Sequence, residues 1–456
     1  MHSECMPWRM VCAHDAVCVV DPGAHFMQSW NSRFESLEIN HLRSPAFAHP
    51  VPFEPTALVG FALREGRASE LIDAPFVGNW LATTDYSQQE ELLKALPSSA
   101  LFRDFCASLE VRLPHRWLSG SATHVCKDAG TGKFRVHYQA TADGRERKVV
   151  ARAVIMATGP VGKWNIPAPF EPHLASRLVL HTEEMIAQGH STLREEITRR
   201  CAGESTRVLV IGGGISAAQA ALACFHAGHE VVLRSRRPLR TRAFDVDQDW
   251  LDARHSNRLR FEFWSLPVEK RRAALREATS GGSVPARYME DLHKWSQASS
   301  SLRLEVDEEI DSSVVCAGER GEGLVVNGEL FGMVILATGT ATAPGCSPLY
   351  RSVQELLEAP MVDGLPHVDS HLRWAPDEDL FVLGANAALE LGPGGGNLMG
   401  AMRGAKIVSN ELHGLMWKRS EAPGQAKARP ARPANLFAAL LDEGASDDEA
   451  SSSDEE

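Results

Sequence analysis

The stretch Arg207–Arg237, RVLVIGGGISAAQAALACFHAGHEVVLRSRR, constrains the fold more than any other part of the chain. It opens on Val208-Leu209-Val210-Ile211, the short β-branched run expected of a strand buried on both faces. Gly212, Gly213 and Gly214 follow, then a small-residue helical stretch from Ser216 to His226, closed by Gly228. A second apolar strand runs from Glu230 to Leu233. Strand, glycine turn, helix and strand in this order form the G-x-G-x-x-G/A fingerprint of a dinucleotide site, with Ala217 in the third place. Gly212 permits the tight turn, Gly214 leaves room for a pyrophosphate, and Ala217 lets the helix pack on the strand. The helix start at Ser216 offers N–H groups and partial positive charge to phosphates. Outside this βαβ setting the same glycines would read as an ordinary core turn.

The end of the second strand bears on which nucleotide binds. NAD sites place an acid there for the ribose 2′-hydroxyl, whereas an Arg accommodates a 2′-phosphate. Here the strand ends Leu233-Arg234-Ser235-Arg236-Arg237 with no acid. Arg234, Arg236 and Arg237 therefore favour NADPH, the alternative being a solvated basic loop.

At 456 residues the chain has room for two or three domains. No apolar run approaches the roughly 20 residues that span a bilayer, and the start, MHSECMPWRM, lacks the apolar core of a signal peptide. Nine scattered cysteines with no C-x-x-C pair and no zinc spacing suit a reducing cytoplasmic setting and argue against a dithiol reductase or a metal site. Eight acids and no base lie in Asp442–Glu456, so the rest carries only −4 of the net −12. No basic face suggests nucleic acid.

A weak duplication runs through the chain. Val154-Ile155-Met156-Ala157-Thr158-Gly159 and Val334-Ile335-Leu336-Ala337-Thr338-Gly339 are near copies, each preceded by short strands. Two similar units are expected, each a nucleotide-binding half. This pattern resembles the two-dinucleotide-binding-domain flavoproteins, and within them the FAD- and NADPH-dependent monooxygenases of the N-hydroxylating and Baeyer–Villiger type. The resemblance covers about residues 16–412 at the level of motif order. It implies an α/β fold of two Rossmann-like, three-layer domains, with the FAD domain discontinuous and a disordered acidic tail. The implied boundaries are 1–165 for the first part of the FAD domain, 166–204 for a crossover linker, 205–340 for the NADPH domain with a helical insertion at about 238–300, 341–418 for the return to the FAD domain, and 419–456 for the tail. The family's F-x-G-x-x-x-H-[ST] signature is displaced: Phe170 is followed by Glu171 and Pro172, and His181-Thr182 stands further on.

The first unit lacks its own glycine motif. A strand from Ala16 to Val20 ends at Asp21, where an FAD unit keeps its ribose acid. In the second unit the matching strand end, Arg234, lies 22 residues after Gly212; 22 residues before Asp21 falls just before Met1. Either the start is truncated or this unit has lost its usual mode of FAD binding, and weak FAD retention is expected. After Asp21, Trp30 packs on the adenine or flavin ring or else in a core. Arg43 faces a phosphate or solvent, and His41 is structural or catalytic. Residues Leu92–Val111 read as a helix pair for packing.

The insertion after Arg237 carries Phe244-Asp245-Val246-Asp247, Trp250, Phe263-Trp264 and Gly281-Gly282-Ser283. It reads as a helical cover over the NADPH unit with a mobile turn. Its two aspartates have no third metal ligand at matching spacing. Phe381–Asn386 is a further strand ending at Gly384. It leads to Leu391-Gly392-Pro393-Gly394-Gly395-Gly396-Asn397-Leu398 and a helix from Met399 to His413. In the resembling flavoproteins this helix start points at the flavin. The resemblance thus implies FAD at Asp21, Trp30, Arg43, Thr158, Gly159, Gly384, Gly394, Gly395, Asn397 and Leu398, and NADPH at Gly212, Gly214, Ser216, Ala217, Arg234, Arg236, Arg237, Thr338 and Gly339. It also implies hydride transfer from NADPH to FAD and then to O2 and a small nucleophilic substrate; no side chain stands out as a catalytic base. A non-oxygenating reductase and an NADPH-binding protein without catalysis are the alternatives. The tail from Ser420 is a solvated stretch, or at Asn435–Leu441 a transient helix for a partner.

Overall fold

The computed structural model describes residues 17–73, 92–188, 192–201, 206–250, 253–279, 282–310, 314–317 and 323–420. The expected tail, 419–456, lies outside these from residue 421 onward, while 419 and 420 belong to the last helix; most of the segment before Asp21 also lies outside. Residues to Val408 form one compact unit, and a second begins at Ser409.

The first nucleotide half starts with β1 (Cys18–Asp21), α1 (Gln28–Ser36), α2 (Ala57–Arg64) and α3 (Ser99–Glu110). Ser98 caps α3, its side chain accepting the Leu101 N–H, and α3 fills the second part of the stretch Leu92–Val111 read as a helix pair. Then come β2 (Arg116–Lys127), β3 (Phe134–Ala140), β4 (Glu146–Ala151) and β5 (Val154–Met156). β1 runs parallel to β2, and β2, β3 and β4 continue as an antiparallel ribbon. Leu58, Leu101, Phe102 and Phe105 form a separate helical core.

Two extended segments that pair with each other, β6 (Gly162–Trp164) and later residues Thr340–Thr342, link the halves. The second half is built from β7 (Val179–His181), α4 (Thr182–Gln188), α5 (Leu193–Arg200), β8 (Arg207–Ile211), α6 (Ile215–His226) and β9 (Glu230–Ser235). After the insertion helices α7 (Ala253–Trp264), α8 (Val268–Ala278) and α9 (Ala286–Ala298) come β10 (Leu302–Val306), β11 (Val314–Ala317), β12 (Gly323–Val326), β13 (Glu329–Phe331), β14 (Met333–Leu336) and β15 (Thr340–Thr342). The sheet order is β10-β9-β8-β14-β7, all parallel, with β8 at the switch point.

The apolar run Val208–Ile211 alternates as a two-sided strand must. Val208 and Val210 enter a core with α5, α6 and α9 through Leu193, Ala217 and Leu292. Leu209 and Ile211 face the other way, onto Phe170, Leu324, Val326 and Phe331. The three layers are therefore helices, parallel sheet, and the antiparallel meander β11-β12-β13. The stretch 166–204, read as a linker, supplies the edge strand β7 and two helices to this half.

Two features differ from expectation. First, the insertion divides. α9 covers the second half through Met289 and Leu292. The pair α7 and α8 instead packs on the return segment, because Phe263 and Leu275 share a core with Leu365 and Leu389. Second, the first half's sheet comes in two pieces, β1-β2-β3-β4 and a pair described next.

The chain returns through α10 (Pro348–Leu357), β16 (Leu380–Val382), α11 (Ala388–Leu391) and α12 (Leu398–Ser420). β16 pairs in parallel with β5, Phe381 opposite Ile155, so the first half is assembled from segments on both sides of the second. Among the described residues no helix is long and apolar enough to cross a membrane.

Candidate functional site

The C-terminal ends of β8, β9 and β14 open onto a cleft of about 1040 Å³. Its floor is the turn Gly212–Ser216. Gly212 has φ of 152° and a Cβ there would sit 2.4 Å from the Ala337 carbonyl oxygen, so only glycine fits. A Cβ on Gly214 meets nothing within 4 Å, which is the open cradle a pyrophosphate needs. Gly214 is also the N-cap of α6 and brings no side chain to its first turn. The N-terminal amides of a twelve-residue helix thus face an open space. Ser216 lines the cleft, while Ala217, 1 % exposed, sits in the helix–sheet core.

The three arginines read as one group all border the cleft, but their guanidinium groups are placed differently. Arg236 and Arg237 are exposed and line the cleft. Arg234 is buried, and its Nη2 lies 2.6 Å from Glu305. That is a correction to the sequence reading: β9 and β10 run parallel with Arg234 opposite Glu305, so the pairing follows from sheet register. Thr338 and Gly339 line the opposite wall. The glycine-turn floor, the Arg236/Arg237 end and the Thr338 wall thus frame one cleft.

Across β5 and β16 the return segment brings Thr158, Gly159 and Gly384 together. Asn386, fully buried, donates through Nδ2 to the Gly159 carbonyl at 2.7 Å and to the Tyr350 hydroxyl at 2.8 Å. Thr158 and Tyr350 hydroxyls are 2.9 Å apart. Gly159 and Gly384 have φ of 69° and 70° with open space where a Cβ would be, as does Gly339 at 72°. The Ala-Thr-Gly duplication is thus also a conformational one. Gly394 has φ of 81°. Gly395 is a packing glycine, its Cβ position 3.1 Å from Leu391. Asn397 accepts the Gly400 N–H, capping α12, and donates to Asp245 at 3.2 Å. Leu398 joins the helical core.

Asp21 accepts the Gly23 N–H at 2.7 Å and stands at the end of β1 as expected. Trp30 takes the core alternative, stacked on Phe34 with centroids 3.7 Å apart and close to Phe102. Arg43 faces protein: it donates to the Ala243 carbonyl at 2.8 Å and the Ser283 hydroxyl at 2.9 Å. Burial lowers its pKa to about 10. It ties the first half to the insertion. His41 is held below its ordinary pKa, first by burial and then by Arg287. Asp245 and Asp247 are engaged by Asn397 and Arg242.

Fit to an FAD is partial. In the second half β8 stands between β9 and β14 and carries the glycine turn. Its counterparts in the first half, β1 and β5, have no strand between them among the described residues. Ile155 of β5 is 44 % exposed, whereas Ile335, its copy in β14, is fully buried. Among the described residues no glycine-rich phosphate turn accompanies β1 and β5.

Sequence reasoning missed several participants. Gly282 lines the cleft with φ of 68°, a Cβ there falling 2.3 Å from the Gly213 carbonyl. Trp164 lines the same cleft from just before the stretch 166–204 read as a linker. Asn386 and Gly400 gave no pattern that marks them; a Cβ on Gly400 would clash with Gly394 and Gly395.

A family model described as L-lysine 6-monooxygenase/L-ornithine 5-monooxygenase matches residues 93–310, just under half the chain. No curated protein matches. Among solved structures, the FAD-bound cadaverine monooxygenase of Erwinia amylovora is 17 % identical with a TM-score of 0.63, covering 91 % of this chain and 92 % of its own. The ornithine hydroxylase of Pseudomonas aeruginosa is 17 % identical with a TM-score of 0.60, covering 88 % and 92 %. The ornithine N-hydroxylase of a Kutzneria species, solved with reduced FAD, NADP+ and L-ornithine, is 16 % identical with a TM-score of 0.59, covering 88 % and 99 %. In fold, and over the segment the family model matches, the chain is therefore similar to the lysine and ornithine monooxygenases, the flavin-dependent N-hydroxylating kind that its two-unit pattern resembles.

Proposed function

We propose that the chain is an NADPH-dependent flavin monooxygenase that hydroxylates a small primary amine. The observation that carries this is the open Gly214 cradle at the switch point of a five-stranded parallel sheet, inside the segment matched by the lysine/ornithine monooxygenase model. Residues 205–340 hold NADPH, with Gly212, Gly214 and Ser216 at its pyrophosphate and Arg236 and Arg237 at its 2′-phosphate. Residues 1–165 and 341–418 hold FAD, with Asp21, Thr158, Gly159, Gly384 and Gly394 toward it. Bound FAD supplies hydride acceptance and oxygen transfer. The chain's own part is to hold and shield: α6 neutralises phosphate charge, Asn386 fixes the Gly159 loop, and Asn397 anchors α12 and the Asp245 loop. A cytoplasmic setting fits the scattered free thiols.

The test is NADPH oxidation by the chain with added FAD, using L-lysine, L-ornithine and cadaverine in turn. Amine-stimulated oxidation with hydroxylamine product is expected; peroxide alone, with no product from any amine, would make the chain a non-oxygenating oxidase or reductase. The divided first-half sheet favours a second reading, an NADPH-binding protein that does not retain FAD. Flavin per chain after purification separates the two: near-stoichiometric yellow protein excludes the second, and colourless protein that still titrates with NADPH and shows no turnover with added FAD establishes it.

A further inference from the structure

Trp164 is 39 % exposed, although an aromatic of this size is normally well buried. Its surroundings are nonetheless fixed. β6 pairs antiparallel with β15, placing Trp164 opposite Thr340. The next residue, Asn165, donates its N–H to the Gly339 carbonyl at 2.9 Å and its side-chain amide to the Thr338 carbonyl at 3.2 Å. The Thr338 hydroxyl donates back to the Asn165 carbonyl.

One indole face stacks on the His181 imidazole, centroids 5.3 Å apart and planes within 5° of parallel. His181 is itself fully buried, its Nδ1 accepting the Glu183 N–H at 3.1 Å and its Nε2 lying 3.3 Å from the Thr338 hydroxyl. Burial holds its pKa below the ordinary value, so the ring behind Trp164 is neutral at pH 7. The indole is thus a rigid flat surface, closed on one face, lining the cleft.

Its place in the cleft decides what it can hold. A dinucleotide lies across the switch point of such a sheet with its pyrophosphate at the glycine turn. The 2′-phosphate end belongs over β9, where Arg236 and Arg237 stand. The other half of the molecule then extends over β14, toward Ala337, Thr338 and Gly339. Trp164 is bonded to that wall through β15 and Asn165.

We propose that Trp164, backed by His181, is the stacking shelf for the nicotinamide ring of NADPH. This rests on the reading of the cleft as the NADPH site. Stacking of an aromatic side chain on a heterocyclic base contributes enough that its removal weakens binding about 5- to 100-fold.

The test is calorimetric titration of the full chain with NADP+ and with adenosine 2′,5′-bisphosphate, which keeps the 2′-phosphate and lacks the nicotinamide half. Trp164→Ala should weaken NADP+ by the factor above and leave the bisphosphate unchanged, while Trp164→Phe retains most NADP+ affinity. Circular dichroism melting of both variants monitors folding. Equal losses for the two ligands would overturn the proposal and make the residue structural or an adenine shelf. Unchanged NADP+ affinity in folded Trp164→Ala would overturn it too. If the unmodified chain binds neither ligand, the NADPH reading of the cleft fails, and the shelf with it.

Discussion

Arg234 and Glu305 form an ion pair inside the second half, Nη2 to Oε2 at 2.6 Å, with the Arg234 side chain 4 % exposed. Glu329 lies 3.6 Å from the same nitrogen. A guanidinium so placed serves the sheet, and truncating it removes a buried charge partner from Glu305 and Glu329, which keep only the more exposed Arg303 and Arg207. In the function proposed above, the 2′-phosphate falls to Arg236 and Arg237.

Replacing Arg236 and Arg237 by Ala should weaken NADPH much more than NADH, by about 1.5–3 kcal/mol per charge-assisted contact. Arg234→Ala should lower the melting temperature instead and affect the two nucleotides alike. Paired titrations and melts of both variants check this; equal loss of NADPH and NADH in the Arg236/Arg237 variant would remove the 2′-phosphate assignment.

Gly214 and Gly212 make a second contrast. Gly214→Val should fold and lose NADPH, because φ of −107° suits any residue and the added carbons enter open space. Gly212→Ala should destabilise the fold, since its Cβ meets the Ala337 carbonyl at 2.4 Å. A Gly214→Val protein that titrates normally with NADPH would show that the cradle holds no phosphate.

Most of the second half was legible because its signals are local. The alternation in Val208–Ile211, the glycine turn and the small-residue helix are each set within a few residues, and together they define the βαβ unit. The second Ala-Thr-Gly strand was visible for the same reason. What stayed hidden depends on register between distant segments. The β9–β10 register buries Arg234 against Glu305, and the position of Arg43 depends on a loop two hundred residues away. Trp30 showed its size but not which surface it meets. Trp164 was hidden inside a Pro-rich stretch whose exposure only the β6–β15 ribbon creates.

Asn386 tests how the return segment is joined. Asn386→Leu keeps the volume and removes the donor to Gly159 and Tyr350. The buried Tyr350 hydroxyl and the half-buried Gly159 carbonyl are left with fewer partners, at about 1–3 kcal/mol. Tyr350→Phe should be milder, since Asn386 keeps Gly159. Denaturant midpoints order the two variants; a Leu variant as stable as the parent would mean that the network does not hold the segments together.

His49 makes the stability pH-dependent in a determinate direction. The residue is fully buried. Its Nδ1 accepts the Val51 N–H at 3.2 Å, and its Nε2 lies 3.1 Å from the Pro55 carbonyl, to which it donates in that tautomer. A second ring proton would have to face the Val51 N–H. Burial, the largest influence, lowers the pKa from the ordinary 6.5. The unfolded chain binds a proton near that ordinary value while the folded chain does not. Stability is therefore level above pH 6.5, falls as pH drops below it, and levels again once the folded ring titrates. The slope from one such histidine is at most about 1.4 kcal/mol per pH unit. His181 and His229, also lowered by burial, act in the same sense. His49→Gln can keep both hydrogen bonds without titrating. Its melting temperature should be lower than the parent's at pH 7.5 yet decline less between pH 6.5 and 5, on the order of one histidine's share. Parallel declines in the two proteins would show that His49 is not the group that takes up the proton on unfolding.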